Sequence, residues 1–162
     1  MSKLYMVATP IGNLEDITLR AKRTLEEADM IACEDTRVTV KLLNHYGIKK
    51  PLISYHAHST GAKIERLLEA LRGGKNIALV TDAGTPGISD PGNELIAEVV
   101  KQAPETEIIP IPGVSAVAAA LSVSGFSTSQ FLFLGFLPHK KGRQTLFRRI
   151  AASEETVVFY ES

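Results

Sequence analysis

Apolar residues along the chain fall into short runs separated by longer stretches in which they recur as stripes. Leu4 to Ala8, Met30 to Cys33, Leu52 to Tyr55, Ile77 to Val80 and Glu107 to Pro110 are the short runs; their length and continuity predict strands covered on both faces. Between them the spacing is helical. Thr18 caps a helix to about Ala28, with Leu19, Ala21, Leu25 and Ala28 turned inward. Val38 to Tyr46 is a second helix, closed by Gly47. Ser59 or Thr60 caps a third, which runs through Arg72 on the stripe Ile64, Leu67, Leu68 and Leu71. Glu94 to Lys101 is a fourth, with Leu95, Ile96, Val99 and Val100 on one stripe and Asp90-Pro91 as its cap and first turn. Ala116 to Val123 is a fifth, built of small residues. Five β–α repeats in about 120 residues predict an α/β fold with a doubly wound, mainly parallel sheet.

Gly125 to Ser129 reads as a linker, which divides the chain into an α/β domain over 1–124 and a second unit over 125–162. In the second, Phe131 to Leu137 predicts a strand of another sheet, about Arg143 to Ala152 a helix, and Thr156 to Tyr160 a strand. A β-α-β piece of this size cannot bury its own apolar faces. The expectation is therefore a second α/β domain that is incomplete here, continuing beyond the chain or completed by a partner.

Hydrophobic content of 44% and charged content of 22% are those of a globular protein. The longest apolar runs are too short to span a bilayer, and Met1-Ser2-Lys3 leads straight into a strand, so neither anchor nor leader is expected. One cysteine, Cys33, excludes an internal disulfide and fits a cytoplasmic protein; within its apolar strand it reads as a small buried hydrophobe. Tyr5, Tyr46 and Phe126 are expected in the core. Net charge is zero, but His139 to Arg149 holds Lys140, Lys141, Arg143, Arg148 and Arg149 with no acid. That patch is either a solvated helix face or a contact for phosphates.

The densest candidate chemistry is Thr81 to Gly92, Thr-Asp-Ala-Gly-Thr-Pro-Gly-Ile-Ser-Asp-Pro-Gly. It lies between a strand and a helix, where open α/β sheets hold ligands. Its glycines allow close backbone approach, and Asp82 stands at the strand end with a carboxylate for a ligand's hydroxyl or ammonium groups. Glu34, Asp35 and Arg37 follow the second strand; an acid beside an arginine there is by itself a structural ion pair. His56 and His58 alternate in an extended segment and point the same way. That spacing would suit a metal, but no third ligand accompanies them and no metal is expected. The loop Thr9-Pro10-Ile11-Gly12-Asn13-Leu14 lacks the three-glycine dinucleotide pattern.

Seven stretches together resemble the tetrapyrrole methylase superfamily, and within it the ribosomal RNA small subunit methyltransferase I family. They are Val7 to Leu14, Cys33 to Arg37, Tyr55 to His58, Asp82 to Gly92, Pro112-Gly113-Val114-Ser115, Gly135 to Pro138 and Phe159 to Ser162, in the family's order. The wider superfamily carries a Gly-x-Gly-Pro-Gly first loop. Thr9-Pro10-Ile11-Gly12-Asn13 departs from it towards the ribosomal RNA branch and away from tetrapyrrole substrates. Ser59 stands where the family has Asn, and family members are longer than this chain.

The resemblance implies an S-adenosylmethionine-dependent enzyme that methylates the ribose 2′-hydroxyl of a cytidine in small-subunit (16S) ribosomal RNA, acting on the 30S subunit as a homodimer. It places the donor in a cleft between two domains. Pro10, Gly12, Thr81, Asp82, Ala83, Gly84, Thr85, Gly87, Pro112, Gly113, Val114 and Ser115 are the implied donor-binding residues. Asp35 or Glu34 is the implied base or substrate orienter. Arg37 is implied to hold a phosphate or carboxylate, and His56 and His58 to act as base or RNA contacts. Lys140, Lys141 and Arg143 are the candidate RNA contacts of the basic patch. The alternatives are a methylase of a corrin or sirohaem precursor, and a truncated, weakly active or non-catalytic fragment that keeps the donor loop.

Overall fold

Five strands, β1 (Lys3–Val7), β2 (Met30–Cys33), β3 (Leu52–Ser54), β4 (Ile77–Val80) and β5 (Glu107–Ile111), lie side by side in the order β3-β2-β4-β1-β5. All neighbouring pairs are parallel. The structure, a computed structural model, describes residues 1–56 and 61–161. The expected cap at Ser59 or Thr60 therefore falls outside the described residues, as does His58.

The apolar runs are continuous because both faces of the sheet are covered. Successive residues of β4 go to opposite sides. Ile77 and Leu79 join Leu4 and Met6 under α3 (Gly61–Arg72) and α4 (Asn93–Gln102), whose Ile64, Leu67, Leu68, Leu71, Leu95 and Val99 fill that layer. Ala78 and Val80 join Val7, Ile31 and Cys33 on the other side. There α1 (Leu19–Glu27) and α2 (Thr36–His45) contribute Ala21, Leu25 and Leu43. Crossovers to the left and to the right along the sheet thus place their helices on opposite faces, as right-handed β-α-β connections require.

The contacts divide the chain into two compact units, Met1–Ser115 and Ala116–Ser162. The small-residue helix α5 (Ala116–Ser124) thus goes with the second unit, on the far side of a boundary that the sequence reading set at 124. In that unit β6 (Phe131–Phe136) pairs in parallel with β7 (Thr156–Tyr160) across α6 (Arg143–Ala151), with an irregularity between Phe133 and Phe136. Tyr160 meets the rings of Phe133 and Phe136, each with centroids 5.1 Å away.

Four expectations are corrected. Leu19 is 88% exposed, because Thr18 caps the helix immediately before it and turns this first residue outward. Phe126 is exposed rather than core, and Tyr5 and Tyr46 only border the core. Val100 lies outside the buried stripe of α4. Asp90-Pro91 does not start that helix: Gly92 is its N-cap, and Gly87 N–H donating to Pro91 O ties Pro91 into the preceding turn.

Candidate functional site

Parallel pairing brings the ends of all five strands, and the loops that follow them, to one edge of the sheet. Adjacent strands β2 and β4 send their connections in opposite directions, towards β3 and across β1 to β5. A divergence of this kind opens a crevice at the carboxyl ends of the strands. Glu34 and Asp35 enter it from β2, Thr81 and Asp82 from β4.

The crevice is held from both sides. Asp35 N–H donates to Asp82 Oδ1 at 3.1 Å. Asp35 also caps α2, its Oδ1 accepting from Arg37 N–H at 2.8 Å. The Arg37 guanidinium grips the same carboxylate through Nε, and through Nη2 at 2.6 Å. Hydrogen bonds from Arg37 hold the Asp35 carboxyl well below the usual range, at about 2. Glu34 is pushed the other way, by burial first and by the Asp82 charge second. Burial also raises Asp90; the Thr81 hydroxyl acts the other way, and the charge of Asp82 adds to the rise. Two neighbouring carboxylates of one motif thus differ in kind: Asp35 is an anchored anion and Glu34 a half-buried, more basic group.

The rim is built by the Gly/Pro loops. Thr9 and Gly84 exchange backbone hydrogen bonds at 2.9 Å each, and Thr9 Oγ1 donates to Thr81 O. Thr85 Oγ1 donates to Val114 O at 3.1 Å, which joins the loop after β4 to the loop after β5. Gly84 holds φ +86°, open to glycine without strain, at the crossing of the two loops. At Gly113 the reason for glycine is space: a Cβ there would lie 2.8 Å from the Ala8 Cβ. Thr81 is 2% exposed, and among the described residues its Oγ1 closes no hydrogen bond of good geometry, making only a loose approach to the Asp90 carboxyl.

The structure thus gathers Glu34, Asp35, Arg37, Thr81, Asp82 and the loop Ala83, Gly84, Thr85 and Gly87 at one crevice. Pro10 is buried on the loop after β1, where Gly12 is exposed, and Pro112, Gly113, Val114 and Ser115 follow β5. His56 stands just past β3, one strand beyond β2, with Lys63 Nζ 3.5 Å from its Nε2. In the second unit Lys140 and Lys141 are exposed, whereas Arg143 pairs with Glu161 at 2.6 Å. Among the described residues, no group of three His, Cys, Asp or Glu is placed to hold a metal ion. The sequence reading missed Asp90 as a site group by treating it as a cap, and it missed Lys63. A lysine in a first helical turn that carries no acid was the available signal.

A site for a cationic donor fits these groups. Glu34, Asp82 and Asp90 supply negative charge with no matching ion pair among the described residues, and the Thr81 hydroxyl is a buried polar atom that only loosely approaches Asp90. The family model of the tetrapyrrole (corrin/porphyrin) methylases matches residues 3–162. The chain is 52% identical to ribosomal RNA small subunit methyltransferase I of Halalkalibacterium halodurans over 98% of its own length and 55% of the relative's. It is 49% identical to the Thermotoga maritima protein of that name, over all of its own length and 72% of the relative's. The chain spans about half the length of most curated relatives it matches. Among solved structures, uroporphyrin-III-C-methyltransferase from Thermus thermophilus superposes with a TM-score of 0.61 at 23% identity, over 84% of this chain and 60% of that one. The fold and these identities together make the chain a member of the tetrapyrrole (corrin/porphyrin) methylase family, in its ribosomal RNA small subunit methyltransferase I branch.

Proposed function

We propose that the protein methylates the ribose 2′-hydroxyl of a cytidine in small-subunit ribosomal RNA, with S-adenosylmethionine as donor. The observation that carries this reading is the identity of about half its positions to proteins named for ribosomal RNA methylation, along nearly all of its length. The acidic crevice supports a cationic donor. When bound, the donor supplies a methyl group already activated on a sulfonium, so the protein's task is placement and proton removal. Asp82, Asp90 and Thr81 bind it together with Pro10, Gly12, the loop 83–87 and the turn 112–115, chiefly through backbone groups and negative charge.

Glu34 takes the proton from the 2′-hydroxyl. Its raised pKa makes it the stronger base of the pair, and general base catalysis of this kind contributes about 10²–10⁴. Asp35 cannot share that role while Arg37 and the cap hold it. Its part is to position Asp82 and α2, and that of Arg37 is to fix Asp35. His56 and His58 contact the RNA. The same reading makes the partner the 30S subunit, the compartment the cytoplasm and the assembly a homodimer; sedimentation at micromolar concentration checks the last.

The test is transfer from tritiated methyl donor to unmethylated small subunits, followed by digestion of the RNA to nucleosides. Label in 2′-O-methylcytidine is expected. Label in another nucleoside, or none with subunits competent for a control enzyme, overturns the reading.

A further inference from the structure

Beside the crevice stands a polar cluster of which only His56 has been given a role, as an RNA contact. At the end of β3, Lys63 Nζ lies 3.4 Å from Ser54 Oγ and 3.5 Å from His56 Nε2. An ammonium can only donate, so the His56 nitrogen facing it is an acceptor. Neither neighbour is a carboxylate, and among the described residues no carboxylate lies within ion-pair distance of Lys63. The lysine is half-buried in the first turn of α3, a turn with no acid, where the helix dipole disfavours a cation. Among the described residues no ion pair offsets that charge. Arg37, the cation in the motif after β2, is by contrast already matched by Asp35.

Ser54 pairs in register with Cys33, the residue before Glu34, so the cluster sits one strand from the proposed base. Neighbouring strands are about 4.8 Å apart. A ribose that offers its 2′-hydroxyl to Glu34 carries a phosphate on the adjacent 3′-oxygen, and the crevice beside it is lined with acids that repel a phosphate. We infer that Lys63, held by Ser54 and His56, is the subsite for the 3′-phosphate of the acceptor nucleotide. The inference rests on the RNA reading above and adds to it a residue that binds the acceptor and not the donor.

Two measurements on the protein test it. Methyl transfer to small subunits is followed against salt for the wild type, Lys63→Gln and Lys63→Arg, with donor affinity and melting temperature measured alongside. Lys63→Gln is expected to raise KM for the subunit about tenfold with kcat and donor Kd unchanged. It should also lower the slope of log(kcat/KM) against log[salt] by about 0.7–0.9, and Lys63→Arg should recover much of both. An unchanged KM and slope, or a loss confined to kcat or donor binding, overturns the subsite. Separately, inorganic phosphate is titrated into the wild type and the His56 ring followed by NMR. A shift that Lys63→Gln abolishes supports the subsite, and a ring indifferent to phosphate in the wild type overturns it, even where Lys63→Gln fails to fold. Failure of the wild type to methylate RNA counts against the RNA reading alone, because the phosphate titration still decides the subsite.

Discussion

Asp35 and Asp82 stand just past the ends of adjacent strands at the mouth of the crevice, and the backbone N–H of Asp35 donates to the Asp82 carboxylate at 3.1 Å. The bond makes one carboxylate a structural tie and leaves its second oxygen and its charge to the crevice. Asp82→Ala is expected to weaken donor binding about tenfold or more, as loss of a charged partner does, while costing no more than about 1 kcal/mol of stability. Calorimetric titration with donor and a melting curve separate the two. A large fall in melting temperature with donor affinity intact would assign Asp82 to the scaffold alone.

Asp35 predicts a pH effect on stability. Its carboxyl is held at about 2, below the ordinary 3.8, by Arg37. The depressed value means that the ionised form favours the folded state. That contribution is fully present above pH 3.8 and disappears as pH falls through about 2. Arg37→Ala should return Asp35 towards its ordinary value and flatten the acid limb of the melting curve in this window. An acid limb identical in both proteins would show that the pair contributes nothing in solution.

Gly113 tests the packing that sets the rim. A methyl group there meets Ala8 Cβ at 2.8 Å, on neighbouring parallel strand ends. Gly113→Ala should destabilise by about 1–3 kcal/mol, as overpacking does. Ala8→Gly in the same chain should recover part of that loss although it is itself unfavourable. Additive effects in the double mutant would mean that the two positions do not touch.

Much of this arrangement was legible in the residues, for reasons the packing makes plain. Ile77 to Val80 reads as an interior strand because its alternate residues feed two separate core layers. The loop after it is legible from its glycines and prolines. The strand order is not, since parallel strands joined by helices carry no local mark of their neighbours. Asp90 was misread because Asp-Pro resembles a helix start, and only the turn closed by Gly87 and Pro91 shows the helix waiting for Asn93. The contrast between Glu34 and Asp35 is equally invisible in sequence. It depends on which carboxylate Arg37 reaches and which one the strand end buries.

Glu34 carries the next prediction. Glu34→Gln keeps shape and hydrogen-bonding reach but cannot accept the proton, so kcat should fall about 10²–10⁴ with donor affinity little changed. In the wild type, burial and Asp82 put the carboxyl above 4.5. The rate should therefore decline on acidification through a pKa higher than that of an ordinary glutamate, and the variant should lose that limb. A variant whose rate keeps the same acid limb would move the base elsewhere.

Thr81 gives the sharpest separation of function from stability. Its hydroxyl is buried with no more than a loose approach to the Asp90 carboxyl among the described residues, and a buried hydroxyl without a well-formed hydrogen bond costs about 1–3 kcal/mol. Valine has nearly the same shape and no such demand. Thr81→Val should thus leave the melting temperature unchanged or raise it in the absence of donor. If the hydroxyl is kept for a ligand, the same substitution should weaken donor binding, and the stabilisation that donor gives the wild type should shrink in proportion. The two readouts move in opposite directions for a binding group and together for a structural one. A variant that melts lower without donor would place the hydroxyl in the scaffold, and one that binds donor as the wild type does would remove Thr81 from the site.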